Sequence, residues 1–339
     1  MRRCFELARK GLGFTRTNPL VGSVIVHHGR IIGEGYHHAF GGPHAEVLAI
    51  GSVEDPSLLS ESTLYCSLEP CSHQGKTPPC AELIVQKGIP RVVVANMDPF
   101  PSVNGRGIAR LREAGVEVRI GCLEEEGRFL NRRFFTFVEK RRPFVVLKWA
   151  QTRDGFIDPE RAPGDPVGPN WITDEVCRTL VHKWRSEEAA ILAGTNTIIA
   201  DDPGLNVRRW KGEQPLRVSI DRSGRIPDSA RILDGTQATL VFTGPGVHIG
   251  GKTRSIPLAA DVGLGAVLEA LFEQKIISLF VEGGAGILRS FIREGLWDEA
   301  RVFTASFDYG GGVEAPDPAC QPEEETTLHF ANLKLYRNH

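Results

Sequence analysis

The sequence predicts two consecutive α/β domains, and three observations support this fold class. The chain has 339 residues, which is long for one ordinary domain and suits two. Short apolar runs typical of strands alternate with helical segments along the chain, as in layered α/β folds. A basic, proline-marked stretch, EKRRPF at 139–144, interrupts the alternation. We therefore expect domains at 1–140 and 143–339.

The first domain is predicted to be a three-layer α/β structure with a mixed sheet. Two apolar runs flank HHGR at 27–30, where Gly29 supplies the turn of a β-hairpin. The prolines around Cys71 and Cys80 exclude a helix between these residues. The predicted elements in chain order are a helix over 3–12, the hairpin over 20–38, a helix from 44, a strand over 62–68, a helix over 80–89, a strand over 91–97, a helix over 107–115 and a strand over 116–121.

The second domain repeats this alternation, which predicts a second α/β structure. It opens with a strand at 144–150, followed by a proline- and glycine-rich loop at 158–170. The further predicted elements are a helix over 174–186, strands over 189–194, 216–221 and 239–244, a helix near 265–274, a strand over 277–284 and a helix over 286–296.

Composition argues against several classes of function. A net charge of −2 does not suit a nucleic-acid-binding protein that relies on a broad basic face. No window holds about 18 consecutive apolar residues, so no transmembrane helix is expected, and the N-terminal stretch lacks the apolar run of a signal peptide. The seven scattered cysteines form a poor disulfide framework. We expect a cytoplasmic protein that binds neither nucleic acid nor membranes.

One histidine and two cysteines in the first domain predict a catalytic zinc site. Catalytic zinc takes three protein ligands and keeps a fourth position for water. His44, Cys71 and Cys80 supply one imidazole and two thiolates. Each cysteine is expected where a loop runs into a helix, which favours the thiolate. Glu46 follows His44 by two residues and is placed to move protons for the bound water, whose pKa zinc lowers to about 7.

Two other interpretations of these residues stay open at this point. In the first, His44 caps a helix and the cysteines are buried structural thiols. In the second, zinc is structural and His73, inside the loop, is a fourth ligand. The combination of H-x-E with P-C and a second cysteine favours the catalytic zinc site over both.

These motifs resemble the signature of zinc nucleoside and nucleobase deaminases. Most of that superfamily has two residues between the cysteines, whereas EPCSHQGKTPPC at 69–80 has eight. This form, with TNPLVGSVIV at 17–26 and GEGYHHAFGGPHAEVLAI at 33–50, is similar to the deaminase domain of the bifunctional riboflavin-biosynthesis deaminase/reductase family. The resemblance covers residues 1 to about 140. It implies a cytidine-deaminase-like three-layer α/β/α fold.

The resemblance also implies a substrate, a diaminopyrimidinone that carries a phosphoribosylamino group. His73 and Lys76 lie in the loop between the cysteines, and a cationic loop suits a phosphorylated substrate. Asn18, His37 and Asp98 are implied as further substrate contacts. Local capping or turn formation is the alternative for Asn18 and Asp98.

The second domain carries a glycine turn, VEGGAGIL at 281–288, between a predicted strand and a helix whose N-terminus suits an anion. LKWAQTRDGFID at 147–158 and HKWRSEEAAILAGTNTIIADDPGLNVR at 182–208 accompany it. Together they resemble the reductase domain of the same bifunctional family over about 143–310. The resemblance implies a dihydrofolate-reductase-like α/β fold, NADPH as cofactor, and reduction of a phosphoribosyl group to a phosphoribityl chain.

The resemblance assigns the reductase site residue by residue. A guanidinium fork suits a phosphate, so Arg185 and Arg208 are interpreted as phosphate contacts, with surface ion pairing as the alternative. The alternatives are a core position for Trp171 and simple solvation for Lys148. The implied substrate contacts are Lys148, Arg185, Leu205, Arg208 and Glu282. The implied cofactor contacts are Ala150, Trp171, Thr197, Asp201, Gly284, Ala285, Gly286, Ile287, Leu288, Arg289 and Ser290.

The chain departs from the family pattern at Phe100 and Pro169, where asparagine and serine are usual, and in a long loop from Asp154 to Trp171 with four prolines. The leading hypothesis is nevertheless a bifunctional riboflavin-pathway enzyme with Zn²⁺ and NADPH. It acts on small phosphoribosylaminopyrimidines and self-associates through the reductase domain. The alternatives are an active deaminase with an impaired reductase half, another zinc nucleoside or tRNA deaminase, and a non-catalytic zinc sensor of nucleotides, which would not need Glu46.

Overall fold

The computed structural model describes residues 1–72, 78–100, 103–162, 164–250, 253–259 and 262–339. The chain divides into two units, Met1–Arg141 and Arg142–His339, and each is an α/β structure with its own sheet. No helix within these described ranges is both long enough and apolar enough to cross a membrane.

The first unit contains one mixed sheet flanked by helices. In chain order its elements are α1 (Arg2–Arg9), β1 (Gly22–His27), β2 (Arg30–Tyr36), α2 (Ala45–Gly51), a 3-10 helix (Pro56–Glu61), β3 (Thr63–Leu68), α3 (Cys80–Gln86), β4 (Arg91–Asn96), α4 (Arg106–Glu113), β5 (Glu117–Ile120), α5 (Glu124–Leu130) and α6 (Arg132–Glu139). The strand order is β2-β1-β3-β4-β5. β1 is antiparallel to β2 and β3, whereas β3, β4 and β5 are parallel.

Helices cover both faces of this sheet. α2, α3 and α4 pack on one face, where Ile84 and Leu111 join the apolar side chains of the strands. α1 and α5 pack on the other face through Phe5 and Leu130. The two faces separate because successive residues of a strand point to opposite sides. The predicted three-layer α/β/α architecture is confirmed.

The hairpin and the helix after it position the predicted metal site. His28 and Gly29 have φ angles of 46° and 77°, and a two-residue type I′ turn requires positive φ at both positions. Gly35 on β2 approaches the start of α2 so closely that a Cβ there would lie 2.5 Å from the Ala45 carbonyl oxygen. The glycine therefore lets α2 lie directly against β2, which fixes Glu46 over the sheet.

Residues 124–139 form two helices that the sequence patterns do not predict, α5 and α6. They have 7 and 8 residues, about two turns each, so no apolar period emerges from them. Between them lies Asn131, which is buried. Its side chain accepts a hydrogen bond from the Leu20 N–H at 2.8 Å and donates one to the Leu20 carbonyl at 2.9 Å. Tertiary contacts of this kind, rather than periodicity, hold the segment in place.

The second unit is built on a longer sheet. Its elements are β6 (Phe144–Gln151), β7 (Phe156–Asp158), α7 (Glu175–Glu187), β8 (Ala190–Gly194), α8 (Thr195–Asp201), β9 (Leu216–Asp221), a 3-10 helix (Arg231–Leu233), β10 (Thr239–Thr243), β11 (Arg254–Pro257), α9 (Leu264–Glu273), β12 (Ser278–Glu282), α10 (Ala285–Arg293), β13 (Glu299–Ala305), β14 (Val313–Glu314), β15 (Glu324–Thr327) and β16 (Ala331–Arg337). The main sheet has the order β11-β10-β9-β8-β12-β6-β13-β16-β15, and β7 pairs with β14.

The strands from β11 to β13 in this order are parallel to one another. β16 is antiparallel to β13, and β15 is antiparallel to β16. α9 and α10 pack on one face and α7 and α8 on the other. Parallel strands present their carboxyl ends at one edge, where ligands of open α/β sheets bind. Lys148 lies near the end of β6, α8 follows β8, and the glycine turn follows β12, so the sequence motifs gather at that edge.

The C-terminal strands β13, β15 and β16 and the short helix α8 are not predicted by the sequence patterns. β13 has Glu299 and Arg301 at buried positions. Because charged residues are rarely buried, they interrupt the apolar run from which an interior strand is predicted. The structure pairs them, because Arg301 Nε donates to Glu299 at 2.7 Å. Arg301 Nη2 also lies 3.9 Å from the buried Glu188, so burial of Arg301 depends on a local partner and on a distant one.

Candidate active sites

Three ligand atoms converge in the first unit at the predicted metal site. His44 Nδ1 lies 3.5 Å from Cys71 Sγ and 3.3 Å from Cys80 Sγ, and all three atoms lie within 4.8 Å of one another. His44 occupies the N-cap position of α2 but makes no side-chain capping bond. The interpretation of His44 as a helix cap is therefore wrong, and its ring faces the two sulfur atoms.

The donor set fits zinc. With Zn–N near 2.05 Å and Zn–S near 2.3 Å, a tetrahedral ion holds its nitrogen and sulfur ligands about 3.6 Å apart, close to the separations seen here. Three donors leave a fourth position for water or substrate. Cys80 is the first residue of α3, as expected. Cys71 lies in irregular backbone after β3, so the expectation of a helix start there is wrong.

The electrostatics of the site favour a thiolate at Cys71. Hydrogen bonding from the Cys80 thiol and from His44 outweighs burial and lowers the pKa of Cys71 to about 4. Glu46, on the first turn of α2, is only 3% exposed. Burial, reinforced by the Cys71 charge, raises the pKa of Glu46 to about 7. Bound Zn²⁺ would act on this carboxyl group in the opposite direction.

Two predicted substrate contacts, Asn18 and His37, are bonded to each other beside this cluster. His37 Nδ1 lies 3.0 Å from the Pro43 carbonyl oxygen, and its Nε2 lies 2.9 Å from Asn18 Nδ2. Since the carbonyl accepts and the amide donates, His37 is neutral with its proton on Nδ1. Burial lowers the pKa of His37, which agrees with this state. The His37 ring centroid is 5.8 Å from that of His44.

Of the three remaining predicted substrate contacts of this site, the structure describes Asp98 but not His73 or Lys76. Asp98 Oδ1 accepts a hydrogen bond from the Phe100 N–H at 2.8 Å, which is the local turn that was the alternative interpretation. Asp98 follows β4 and Cys71 follows β3, so both lie at the carboxyl-end edge of adjacent parallel strands. His73 and Lys76 lie outside the described residues. The structure therefore does not test the interpretation of His73 as a fourth zinc ligand.

Glu69 is a functional-site residue that the sequence interpretation missed. Its carboxylate is buried and accepts four backbone hydrogen bonds at 3.0–3.3 Å, from the N–H groups of Asp98, Gly105, Gly107 and Ile108. It thereby ties the start of α4 to the segment that leads into Cys71. A glutamate directly before the P-C pair, at the end of a buried strand, was the available signal.

A second site forms around Glu282 at the end of β12. Arg185 on α7 donates to both carboxylate oxygens of Glu282, at 2.6 and 2.8 Å. Lys148 on β6 is the cross-strand partner of Glu282 in the sheet register. Burial lowers the pKa of Lys148. Burial acts to raise the pKa of Glu282, but the charge and hydrogen bonds of Arg185, together with the Lys148 and His182 charges, leave this pKa lowered.

The segment 205–208 joins this second site. Arg185 Nη1 donates to the Asn206 carbonyl at 2.9 Å, and Leu205 is buried with a φ of 44°. The Arg208 N–H donates to His182 Nδ1 at 3.3 Å. Burial and the nearby Arg185 charge lower the pKa of Arg208. The structure therefore brings the predicted reductase substrate contacts together and adds His182, which was not predicted.

The glycine turn packs on α8. Gly283 and Gly284 have φ angles of 80° and 69°, and a Cβ on Gly284 would lie 2.6 Å from Thr197 Oγ1. Thr197 and the turn, both predicted cofactor contacts, are thus neighbours. The N–H groups that open α10 follow at Ala285 and Gly286.

Other predicted cofactor contacts of α10 have partners within the protein. Leu288 is fully buried, and its N–H donates to the Gly284 carbonyl at 3.3 Å. Arg289 donates to the Glu314 carbonyl at 2.7 Å, and the Ser290 hydroxyl donates to the Gly286 carbonyl at 3.0 Å. Ile287 packs beside Gly194 at the end of β8.

The long loop after β7 is anchored at Asp201. Arg161 donates to Asp201 at 2.7 Å and to the Ala200 carbonyl at 2.9 Å. Trp171 is 53% exposed, with the Arg178 guanidinium 4.5 Å from its ring centroid, so the alternative of a core position is wrong. Ala150, on β6, is half-buried against the core. Arg161 was not predicted, because a single arginine in a proline-rich loop carries no motif.

Comparison with known proteins identifies the family. Residues 143–338 match the RibD C-terminal domain, and residues 1–96 match the cytidine and deoxycytidylate deaminase zinc-binding region. The chain belongs to the RibD family. The riboflavin biosynthesis protein RibD of Aquifex aeolicus is 41% identical, with 96% of this chain and 91% of the relative covered. RibD of Bacillus amyloliquefaciens is also 41% identical, with 92% and 85% covered.

Solved structures of RibD proteins agree with this assignment. A diaminohydroxyphosphoribosylaminopyrimidine deaminase/5-amino-6-(5-phosphoribosylamino)uracil reductase from Thermotoga maritima has a TM-score of 0.89 at 37% identity and covers 100% of this chain and 97% of its own. This chain is a bifunctional riboflavin-pathway enzyme. It is a zinc-dependent deaminase and an NADPH-dependent reductase, and it acts on small molecules of that pathway. The predicted cytidine-deaminase-like and dihydrofolate-reductase-like folds are confirmed.

Proposed function

We propose that residues 1–140 deaminate 2,5-diamino-6-(5-phosphoribosylamino)pyrimidin-4(3H)-one and that residues 143–339 reduce the resulting 5-amino-6-(5-phosphoribosylamino)uracil to the ribitylamino phosphate. The observation that carries this proposal is the convergence of His44, Cys71 and Cys80 beside the buried Glu46. The substrate identity is supported by the relative from Thermotoga maritima, whose name gives both reactions.

In the deaminase site, His44, Cys71 and Cys80 would hold zinc, and Glu46 would move protons. When bound, the zinc ion supplies a Lewis acid that activates water for attack on the carbon bearing the exocyclic amine. Glu46 accepts a proton from that water and passes it to the amine nitrogen, which leaves as ammonia. Glu46 suits this role because it lies on the first turn of α2, two residues after His44, and is buried beside the zinc ligands.

Within the part of this site that the structure describes, Asn18 keeps hydrogen-bonding capacity for the substrate. Both ring nitrogens of His37 are occupied, by the Pro43 carbonyl and by the Asn18 amide. His37 therefore orients Asn18, whose carbonyl oxygen and second N–H remain for the pyrimidine. His73, Lys76 and Asp98 are assigned to the substrate on the family resemblance.

In the reductase site, NADPH supplies the hydride for the sugar carbon. Lys148 is assigned to the substrate, and burial lowers the pKa of its ammonium group, which makes it a better proton donor than an exposed lysine. Glu282, its cross-strand neighbour, adds a negative charge that favours the ammonium form of Lys148. Thr197, Asp201, Ala150, Trp171 and the segment 284–290 are assigned to the cofactor, with the backbone N–H groups at the start of α10 facing its phosphates.

We assign the phosphate of the substrate to Arg208 alone rather than to both Arg185 and Arg208. The Arg185 guanidinium already binds Glu282 twice and the Asn206 carbonyl once, so its fork is occupied. Arg208 makes one side-chain bond, to Asn206 Oδ1 at 3.1 Å. Its neighbour Arg185 adds positive charge, and adjacent cations favour a phosphate. Leu205 shapes the wall of this pocket.

Cytoplasmic location and self-association through residues 143–339 are also proposed. Both rest on membership of the RibD family and on the small-molecule substrates of its pathway. Sedimentation velocity of the full chain checks the second, and a monomer at micromolar concentration would contradict it.

A two-channel assay tests the function. Zinc-loaded full-length protein is given the diaminopyrimidinone substrate, and ammonia release and NADPH oxidation are followed together. We expect ammonia first and NADPH consumption after it. Ammonia without NADPH oxidation supports the alternative of an impaired reductase half. Ammonia only from cytidine, nucleotide or tRNA substrates supports another zinc deaminase.

The Glu46→Gln variant separates the enzyme from a zinc sensor. It should retain stoichiometric zinc and lose ammonia release by about 10²–10⁴-fold, because amide cannot shuttle the proton. The exposed Glu54→Gln variant serves as the control. Undiminished turnover by the Glu46 variant would overturn the proposed role.

A further inference from the structure

A second group of metal-ligating side chains lies in the first unit, away from the deaminase ligands in sequence. It comprises His27 at the end of β1, His28 in the hairpin turn and Glu61 at the end of the 3-10 helix. Their ligand atoms all lie within 4.8 Å of one another. Glu61 Oε2 is 3.5 Å from His28 Nε2 and 3.9 Å from His27 Nε2.

Both separations are too long for hydrogen bonds, and the shorter one is close to the distance between two ligands of one ion. A nitrogen–oxygen hydrogen bond is usually 2.7–3.2 Å long, and both distances exceed that range. Tetrahedral zinc with bonds of about 2.0–2.1 Å sets its nitrogen and oxygen ligands about 3.3–3.4 Å apart. The His28–Glu61 pair is already close to this value, and a rotation of the exposed Glu61 side chain would bring the third ligand in.

The backbone holds the three ligands in position before any ion binds. His28 has a φ of 46° in the type I′ turn, so the turn itself directs its side chain. The 3-10 helix is anchored by the buried Leu59 and runs directly into β3, the antiparallel neighbour of β1. Arg91 fixes the same junction, donating to Thr63 Oγ1 at 3.0 Å and to the Glu61 carbonyl at 3.4 Å. The backbone is therefore fixed before binding, and the ordering cost falls on the exposed side chains of His28 and Glu61.

We propose that His27, His28 and Glu61 form a second zinc site, separate from the deaminase centre. Two imidazoles and one carboxylate are a donor set that zinc accepts in proteins with a fourth position left for water. Nitrogen and oxygen donors also suit Ni²⁺ and Cu²⁺, whereas Mg²⁺ and Ca²⁺ prefer oxygen alone. Occupancy joins the hairpin to the 3-10 helix, next to the point where the end of β1 pairs with the start of β3.

Zinc stoichiometry tests this site. Full-length protein is dialysed against micromolar free Zn²⁺, and bound zinc is counted by atomic emission. We expect two equivalents in the unmodified chain, one in His28→Ala and two in His38→Ala, the control with an exposed histidine just after the same hairpin. One equivalent in the unmodified chain, or two in His28→Ala, would overturn the proposal.

Cobalt spectroscopy provides an independent readout. Co²⁺ replaces zinc and reports its ligands, because thiolates give an intense sulfur-to-metal charge-transfer band and imidazoles do not. The first equivalent should show this band at the deaminase site. The second should add only ligand-field absorption, which His28→Ala removes. A thiolate band from the second equivalent would contradict the assignment.

Discussion

Arg185 and Glu282 form a two-bond ion pair, at 2.6 and 2.8 Å, that joins α7 to the carboxyl end of β12. Their side chains are only 12% and 11% exposed. Removal of one partner from a buried pair leaves the other charge uncompensated. The pair therefore fixes the position of Glu282 beside Lys148 and links the reductase site to the stability of its unit.

Replacement of this arginine should be costly. Arg185→Met should lower the free energy of unfolding by about 3 kcal/mol, because the Glu282 carboxylate is left buried without its main partner. Urea denaturation of the full chain measures the loss. Arg209→Ala is the matched control, since its pair with Glu175 is more exposed and should change stability by less than about 1 kcal/mol. Equal effects of the two variants would contradict the assignment.

The Glu69 carboxylate should stabilise the first unit through its four backbone hydrogen bonds. Glu69→Gln keeps the size of the side chain but places an NH₂ group opposite N–H donors, leaving about two of them unsatisfied. We expect a loss of about 2–4 kcal/mol in thermal or urea unfolding. An exposed substitution, Glu54→Gln, should be close to neutral. A neutral Glu69→Gln would show that these bonds do not hold the segment.

His182 should make stability depend on pH. Burial, aided by the Arg185 and Arg208 charges, lowers its pKa from 6.5 to about 4. Between these values the unfolded chain binds a proton that the folded chain does not. This contribution is therefore complete above about pH 6.5 and is lost as the pH falls towards 4, by up to roughly 3 kcal/mol.

The His182→Gln variant isolates this effect. Unfolding free energies at pH 7.5 and 5 should differ less in the variant than in the unmodified chain. His38→Gln, at an exposed position, should leave the difference unchanged. The same pH dependence with and without His182 would refute the prediction.

The turn at Gly284 should be essential to cofactor binding. An alanine there must adopt a φ of 69° and place its Cβ 2.6 Å from Thr197 Oγ1, so the turn or α8 has to shift. The strain of about 1–2 kcal/mol predicts a rise in KM for NADPH of about tenfold or more. Steady-state NADPH oxidation measures it. Gly265→Ala, in open space on α9, is the control and should leave KM unchanged.

Much of this protein could be predicted from its sequence, because the decisive signals are local. The β-hairpin follows from Gly29 between two apolar runs, and the zinc ligands follow from H-x-E and a P-C pair with a second cysteine. The glycine turn at 281–288 and the segments 147–158 and 182–208 resemble a reductase family, and this resemblance predicts the reductase activity. These motifs work because a turn, a helix start or a metal ligand depends on a few neighbouring residues.

Other features required long-range contacts and could not be predicted in this way. The hydrogen bonds of Glu69 depend on α4, which lies far along the chain. Arg301 is buried in β13 near Glu188, a distant partner that the sequence pattern of the strand does not reveal. Arg185 was interpreted as a phosphate fork, but the fold places Glu282 against it and occupies its donors.

The sequence by itself therefore determined the fold class and, through the family resemblance, the two chemistries, and it predicted the metal ligands from residue types at short spacing. Tertiary structure alone decided which charged side chains pair within the protein and which remain for a ligand. The physical reason is that burial makes an unpaired charge costly, so the partner supplied by a distant element sets the role of each buried ionisable group.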